Sequence, residues 1–190
     1  MEIEALEGGF SNAPVDASLA FRVALNVMAR PGTVETVTGA QPPIGLSVAA
    51  GTVLLTLCDQ DTPLYLAGDA DSQAIRDWVT FHTGAPFVDA TDAMFAVGTW
   101  DALMPLTQFP VGTAHYPDRS TTLIVEGFGK IEASLTGPGI ETVAQAMLPE
   151  IAAFQLNAAL FPLGCDFYFT QDDQLCALPR TTRVEATACM

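Results

Sequence analysis

The run from Ile44 to Cys58 sets the tightest limit on how this chain folds. It is about fifteen residues long, contains Gly45 and Gly51, and stops at Asp59, whereas a helix that crosses a bilayer needs about twenty apolar residues. A segment this apolar and this short belongs inside a protein core. Its Leu46–Leu57 portion reads as a helix buried on most sides, although the β-branched Thr52, Val53 and Thr56 also suit a strand. An element without a polar face has to be covered from several directions, so the rest of the chain must supply layers around it.

With 190 residues, about half of them apolar, the chain has material for one substantial core, which predicts a single domain over residues 1–190. Before the central helix, Phe21, Leu25 and Met28 recur at helical spacing between Asp16 and Arg30 and are expected to form the inward face of a helix that stops at Pro31-Gly32. A short strand follows near Thr33–Val37, and the Pro42-Pro43 pair breaks the chain before the central helix. After it, Thr62–Leu66 reads as a strand, and Asp69 or Asp71 is expected to cap a helix carrying Ile75, Trp78, Val79 and Phe81. Met94–Val97 reads as a buried strand. The runs Thr121–Glu126 and Ile131–Thr136 flank Gly127-Phe128-Gly129-Lys130, whose glycines suggest a hairpin turn. A helix from Pro149 to about Leu160, a strand over Asp166–Thr170, a turn at Asp172-Asp173 and a strand over Leu175–Leu178 complete the pattern. Alternation early and hairpins late predict an α/β fold, a three-layer domain with a mixed sheet flanked by helices.

Charge narrows the function classes. Seven Lys and Arg stand against 22 Asp and Glu, for a net charge of -15. Such a surface does not release counterions from nucleic acid, nor is it drawn to an anionic membrane. The first residues, Met1-Glu2-Ile3-Glu4-Ala5-Leu6-Glu7, carry acids where a secretory leader carries bases, which predicts a cytoplasmic protein. Cys58, Cys165, Cys176 and Cys189 lack paired metal-type spacing and read as structural thiols.

The familiar catalytic patterns are not in the sequence. There is no Walker-type loop, no His-Glu-x-x-His pair and no Gly-x-Ser-x-Gly elbow. Two histidines, His82 and His115, do not make a three-His zinc site, so no metal is expected. The single lysine, Lys130, lies at the supposed hairpin tip with no apolar pocket to lower its pKa, so no pyridoxal phosphate is expected either. Catalytic residues are therefore not assignable. Three polar groupings remain as ligand-binding candidates. Pro179-Arg180-Thr181-Thr182-Arg183 could hold a phosphate or carboxylate through Arg180, Arg183 and Thr181, or its arginines could neutralise nearby acids. His82, at the end of a helix before Gly84-Ala85-Pro86, could cap carbonyls or reach a ligand. Arg30 carries the same ambiguity. Leu135-Thr136-Gly137-Pro138-Gly139-Ile140 reads as a tight turn in preference to an anion cradle.

Taken in chain order, the motifs resemble one family. Phe21-Arg22 with Met28-Ala29-Arg30-Pro31-Gly32, then Leu54–Asp59 with Asp61-Thr62-Pro63, Phe81-His82-Thr83-Gly84-Ala85-Pro86 and Phe95-Ala96-Val97 are similar to successive segments of the PhnH family. Gly112-Thr113, Thr122-Leu123-Ile124, the Leu135–Ile140 turn, Phe161-Pro162-Leu163-Gly164 with Asp166, and Leu178–Thr182 with Val184-Glu185 continue the series. Thr99–Val111 and the tail after Glu185 match none of it. The resemblance implies a fold like the large domain of pyridoxal-phosphate transferases without the cofactor, and a homodimer in isolation. It also implies assembly with PhnG, PhnI and PhnJ in the carbon-phosphorus lyase core complex of phosphonate metabolism. That complex forms ribose methylphosphonate triphosphate from ATP and an alkylphosphonate, with the chemistry attributed to PhnI and PhnJ. The chain is thus expected to be a structural or ligand-assisting component. The alternatives left open are a stand-alone pyridoxal-phosphate transferase and a small-anion module built on Arg180, Arg183 and His82.

Overall fold

The computed structural model describes residues 7–187, so Met1–Leu6 of the acidic N-terminus and Cys189 lie outside the described residues. The elements run α1 (Ala13–Ala29), β1 (Glu35–Thr36), α2 (Val48–Leu57), β2 (Leu64–Leu66), α3 (Gln73–His82), β3 (Phe95–Thr99), α4 (Trp100–Leu103), β4 (Thr122–Glu126), β5 (Ile131–Thr136), β6 (Ala144–Leu148), α5 (Ala152–Ala159), β7 (Asp166–Gln171), β8 (Gln174–Leu178) and β9 (Arg183–Ala186). Six strands form a mixed sheet in the order β1-β8-β7-β4-β3-β2, parallel from β2 to β7 and antiparallel at β8 and β1. The expected α/β fold, a mixed sheet flanked by helices, is what the structure shows. A second sheet, β6-β5-β9, is antiparallel throughout.

Alternating side chains on the central strands build two cores. Val97, Ile124 and Tyr168 face α1, α2 and α3, whereas Ala96, Leu123, Val125, Phe167 and Phe169 face the small sheet, α4 and α5. Leu123, Ile124 and Val125 are all fully buried, because β4 is covered on both faces. On the second side Phe154 of α5 sits edge-on to Phe167 at 5.1 Å and tilted against Trp100 at 4.8 Å.

The central apolar run does form a helix. Ser47 caps α2 by accepting from the Ala50 N–H at 3.1 Å, and residues Ala49 to Leu54 are buried without interruption. Tertiary cover outweighs the strand preference of Thr52 and Val53, and the Thr52 hydroxyl accepts from the Ala40 N–H at 3.2 Å. Ile44, at the start of the run, is 99% exposed, so the buried part is shorter than the hydropathy suggested. No helix among the described residues is long and apolar enough to cross a membrane.

Several expectations need correction. In α1 the inward residues are Ala20, Ala24 and Val27, while Phe21 and Leu25 are exposed together with Val15 and Leu19. The cap of α3 is Ser72, which accepts from the Ile75 N–H at 3.3 Å; Asp71 instead pairs with Arg76. Phe81 of that helix points outward. Residues 127–130 are not a hairpin turn: β4 and β5 belong to different sheets, and the segment crosses between them. Gly129 packs so tightly there that a Cβ would lie 1.7 Å from the Leu148 carbonyl carbon. Strands β6 and β9 are additions to the pattern that the sequence predicts. The Asp172-Asp173 turn is present, with Asp172 at φ 53°.

Gly51 offers a test of this packing. A Cβ there would lie 2.7 Å from Cγ of the Pro42 ring. Gly→Ala in a helix ordinarily gains about 1 kcal/mol, but overpacking a rigid neighbour costs about 1–3 kcal/mol. Gly51→Ala is therefore expected to lower the urea midpoint, and a raised midpoint would show that Pro42 yields.

Candidate functional site

Polar groups collect at both ends of the parallel strands. At the amino end, Asp166 opens β7 and Thr122 opens β4, and Arg180, just past the end of β8, lies across them. Its Nε donates to Asp166 Oδ1 at 3.1 Å and one terminal nitrogen donates to Asp166 Oδ2 at 2.5 Å. The same nitrogen donates to the Ser120 hydroxyl, and the other donates to the Pro117 carbonyl at 2.7 Å. Asp166 Oδ1 also accepts from the Arg180 backbone N–H at 2.8 Å. Four of the five guanidinium N–H groups are thereby engaged within the protein. An open cleft of about 540 Å³ lies beside this cluster, bordered by Pro117, Asp118, Thr122, Phe161 and Thr181. Its charges, Arg180 against Asp166 and Asp118, leave no excess of positive potential for an anion.

The carboxyl end of the strands is where open α/β sheets ordinarily bind ligands. Glu126, the last residue of β4, sits here against the start of α2. It accepts the Ser47 N–H at 2.7 Å, and the Thr170 hydroxyl lies 3.2 Å from its other oxygen. That hydroxyl is equally 3.2 Å from the Val125 carbonyl and has one hydrogen to give. Burial raises the Glu126 pKa above the usual carboxylate value, against the lowering effect of these hydrogen bonds. A protonated Glu126 donates to Thr170, which then donates to Val125, so each group is satisfied. The start of α2 is closed elsewhere as well: Ala49 N–H donates to the Asp172 carbonyl at 2.9 Å, and Ala50 N–H is held by Ser47. These helix-terminal donors are occupied by the protein itself, so no anion cradle is open at them.

The other candidates are dispersed. His82 Nε2 lies 3.1 Å from the Glu7 carbonyl, which also accepts from Trp78 Nε1 at 3.0 Å, and the imidazole is packed against Trp78 and Phe81. Its contacts are not shared with those of Arg180. Arg30 follows α1 with its side chain exposed, and its carbonyl accepts from the Thr33 hydroxyl at 2.7 Å. Arg183 is exposed on β9 opposite Thr136. Thr181 is half-buried at the rim of the Arg180 cleft. The Gly137-Pro138-Gly139 turn is wedged between two of these groupings. A Cβ on Gly139 (φ 82°) would lie 1.9 Å from the Ala29 carbonyl oxygen, and one on Gly137 would lie 3.0 Å from that of Thr181. Its glycines serve close backbone approach.

Lys130 is exposed, one residue before β5. Cys58, Cys165 and Cys176 are unpaired, and burial pushes each thiol up to about 12, which keeps them poor nucleophiles at neutral pH. Among the described residues no group of three His, Cys, Asp or Glu is placed to hold a metal ion. Asp166, Ser120 and Glu126 escaped sequence reasoning because their partners lie 14, 60 and 79 residues away in the chain.

Fold and site together define the class: an α/β protein with a parallel-centred mixed sheet whose polar clusters, at both ends of the strands, are largely satisfied from within. The comparisons with known proteins are more specific. Residues 8–185 match the family model described as bacterial phosphonate metabolism protein (PhnH), and the chain belongs to that family. It is 38% identical over 190 residues to the alpha-D-ribose 1-methylphosphonate 5-triphosphate synthase subunit PhnH of Rhizobium meliloti (strain 1021), with 94% of each chain covered.

Two measurements probe the clusters. Arg180→Ala leaves Asp166 uncompensated in a site where the two side chains are 12% and 24% exposed, and is expected to cost about 2–4 kcal/mol in denaturant unfolding. Arg180→Lys should recover only a minor part, since an ammonium does not span three acceptors in one plane; full recovery would show that charge alone suffices. For Glu126, an acid whose folded pKa is raised gives most stability below its unfolded value, and that stability is lost as pH rises through the folded one. Glu126→Gln keeps the acceptor for Ser47 and a donor for Thr170, so it should be more stable than the wild type at pH 8 and lose that advantage toward pH 4. A stability difference that does not change with pH would refute the assignment.

Proposed function

We propose that this chain is the subunit of an alpha-D-ribose 1-methylphosphonate 5-triphosphate synthase that corresponds to its Rhizobium meliloti relative, and that it supplies structure and ligand support instead of the reacting groups. The observation that carries the first part is the reciprocal coverage, 94% of each chain at 38% identity. The second part is supported by chemistry. The best-placed guanidinium, Arg180, is committed to Asp166, and the three described thiols are held protonated.

The proposed partners are PhnG, PhnI and PhnJ in a cytoplasmic complex, with a homodimer in isolation and residues 1–190 acting as one unit. Support for a protein cover comes from α1, which carries only Asp16 and Arg22 as charged residues over seventeen positions and turns Val15, Leu19, Phe21 and Leu25 outward. A helix that is apolar all round is ordinarily covered on all sides. The likeness to the large domain of pyridoxal-phosphate transferases is proposed from the family resemblance, and a sheet parallel through β2, β3, β4 and β7 with β8 antiparallel beside it is compatible with it.

Co-expression with the other synthase subunits from the same source tests the reading. This chain is expected to co-elute with them in size exclusion, to be required for the full assembly, and to sediment as a dimer when alone. Complete assembly in its absence would overturn the proposal.

A further inference from the structure

The cleft at the amino end of the parallel strands joins two kinds of surface. Three prolines, Pro117, Pro162 and Pro179, line it together with Phe161, which is 60% exposed. Proline rings have almost no rotamer freedom to lose, so a wall of this kind needs little ordering when a ligand packs on it. Beside the wall lie polar groups with unused hydrogen-bonding capacity. Thr122 and Asp166 are paired in register on β4 and β7, so their side chains stand next to each other on one face of the sheet. The hydroxyls of Thr122 and Thr181 and the carboxylate of the exposed Asp118 make no hydrogen bond among the described residues. One N–H of Arg180, on the nitrogen that donates to the Pro117 carbonyl at 2.7 Å, is likewise without an acceptor.

These groups select among ligand classes. An anion is disfavoured: Arg180 is balanced by Asp166, Asp118 adds a further negative charge, and the whole chain carries -15. A metal ion is disfavoured because no group of three His, Cys, Asp or Glu among the described residues is placed to hold one. An aliphatic chain would bury two hydroxyls and a carboxylate without partners, which is costly. A flat, uncharged ring with a polar edge meets all three conditions, since its faces pack on the phenyl and proline rings while its edge reaches the polar groups. The cleft volume of about 540 Å³ lies inside the roughly 300–1,000 Å³ range of small-ligand sites.

We propose that this cleft binds an uncharged purine base, free or as its nucleoside. The base stacks on Phe161, a contact open to any ring with a π-face. N–H groups on its edge donate to the Asp118 carboxylate, and its ring nitrogens or carbonyl oxygen accept from the remaining Arg180 N–H and the threonine hydroxyls. The Arg180–Asp166 pair holds this arrangement in place without being consumed by it. The site goes beyond the subunit reading and does not depend on it.

Calorimetric titration of the purified full chain tests it, with adenosine, guanosine, ribose and adenosine triphosphate as probes. Both nucleosides are expected to bind and ribose is not, while the triphosphate binds more weakly than adenosine by a margin that shrinks at high salt. Phe161→Ala should weaken nucleoside binding about tenfold, the loss of one base stack, and Phe161→Tyr, which keeps the ring, should retain it. If Phe161→Ala lowers the melting temperature, Asp118→Ala decides by itself, since its side chain is exposed and without a protein partner; it too should weaken binding. Absence of nucleoside binding by the folded wild type would overturn the proposal, as would undiminished binding by the folded variants. Ribose binding as tightly as the nucleosides would turn the cleft into a sugar site, and a triphosphate binding more tightly than adenosine into an anion site; either result overturns the purine assignment. None of these outcomes touches the subunit reading, which co-elution decides.

Discussion

Covering β4 on both faces is the constraint from which the architecture follows. Leu123, Ile124 and Val125 are three consecutive residues without solvent exposure, and a pleated strand sends them to opposite sides. One side demands the helical layer of α1, α2 and α3. The other demands a second layer, which the chain builds from the β6-β5-β9 sheet together with α4 and α5. The crossover after Glu126 exists because the strand after β4 is needed as cover for the sheet and not as its continuation.

The same economy governs polar groups. With seven basic residues against 22 acids, each guanidinium has many possible carboxylate partners, and Arg180 is held by Asp166, Ser120 and Pro117 at once. At the opposite end of the strands, Glu126 and the Asp172 carbonyl take up the N–H groups at the start of α2 that would otherwise attract an anion. These clusters tie strands to helices. A chain organised this way is well suited to holding shape within an assembly.

Features set by local pattern were legible in the sequence, and those set by distant partners were not. The buried α2, the strands β4, β7 and β8, and the turn at Asp172 follow from hydropathy and turn chemistry. The family followed from motifs in order along the chain. Side-chain size is a poor guide to burial in α1. Ala20 and Ala24 face inward on a helix that packs against the Ala49 and Ala50 stretch of α2, where small side chains let two backbones approach closely. Strand β6, Ala-Gln-Ala-Met-Leu, carries no β-branched residue and is a strand only because β5 pairs with it. In β9, Arg183 stands out in the sequence as a charge, whereas its neighbour Val184, buried between the exposed Arg183 and Glu185, is what places the strand. At the site, Arg180 stands out from its local motif, whereas its partner Asp166 does not. The pairing depends on β7 and β8 being antiparallel neighbours, which composition does not reveal.

The tip of the β7–β8 hairpin illustrates how far such couplings reach. Hairpin tips are ordinarily the places where a protein tolerates an inserted tag, a fused domain or new termini. Here the Asp172 carbonyl accepts from Ala49 in the first turn of α2, and the Asp173 carbonyl accepts from the Val37 N–H at 2.8 Å. The tip is a keystone for the most buried helix of the fold. Engineers wishing to label or permute this protein are better served by the exposed stretch from Thr113 to Tyr116.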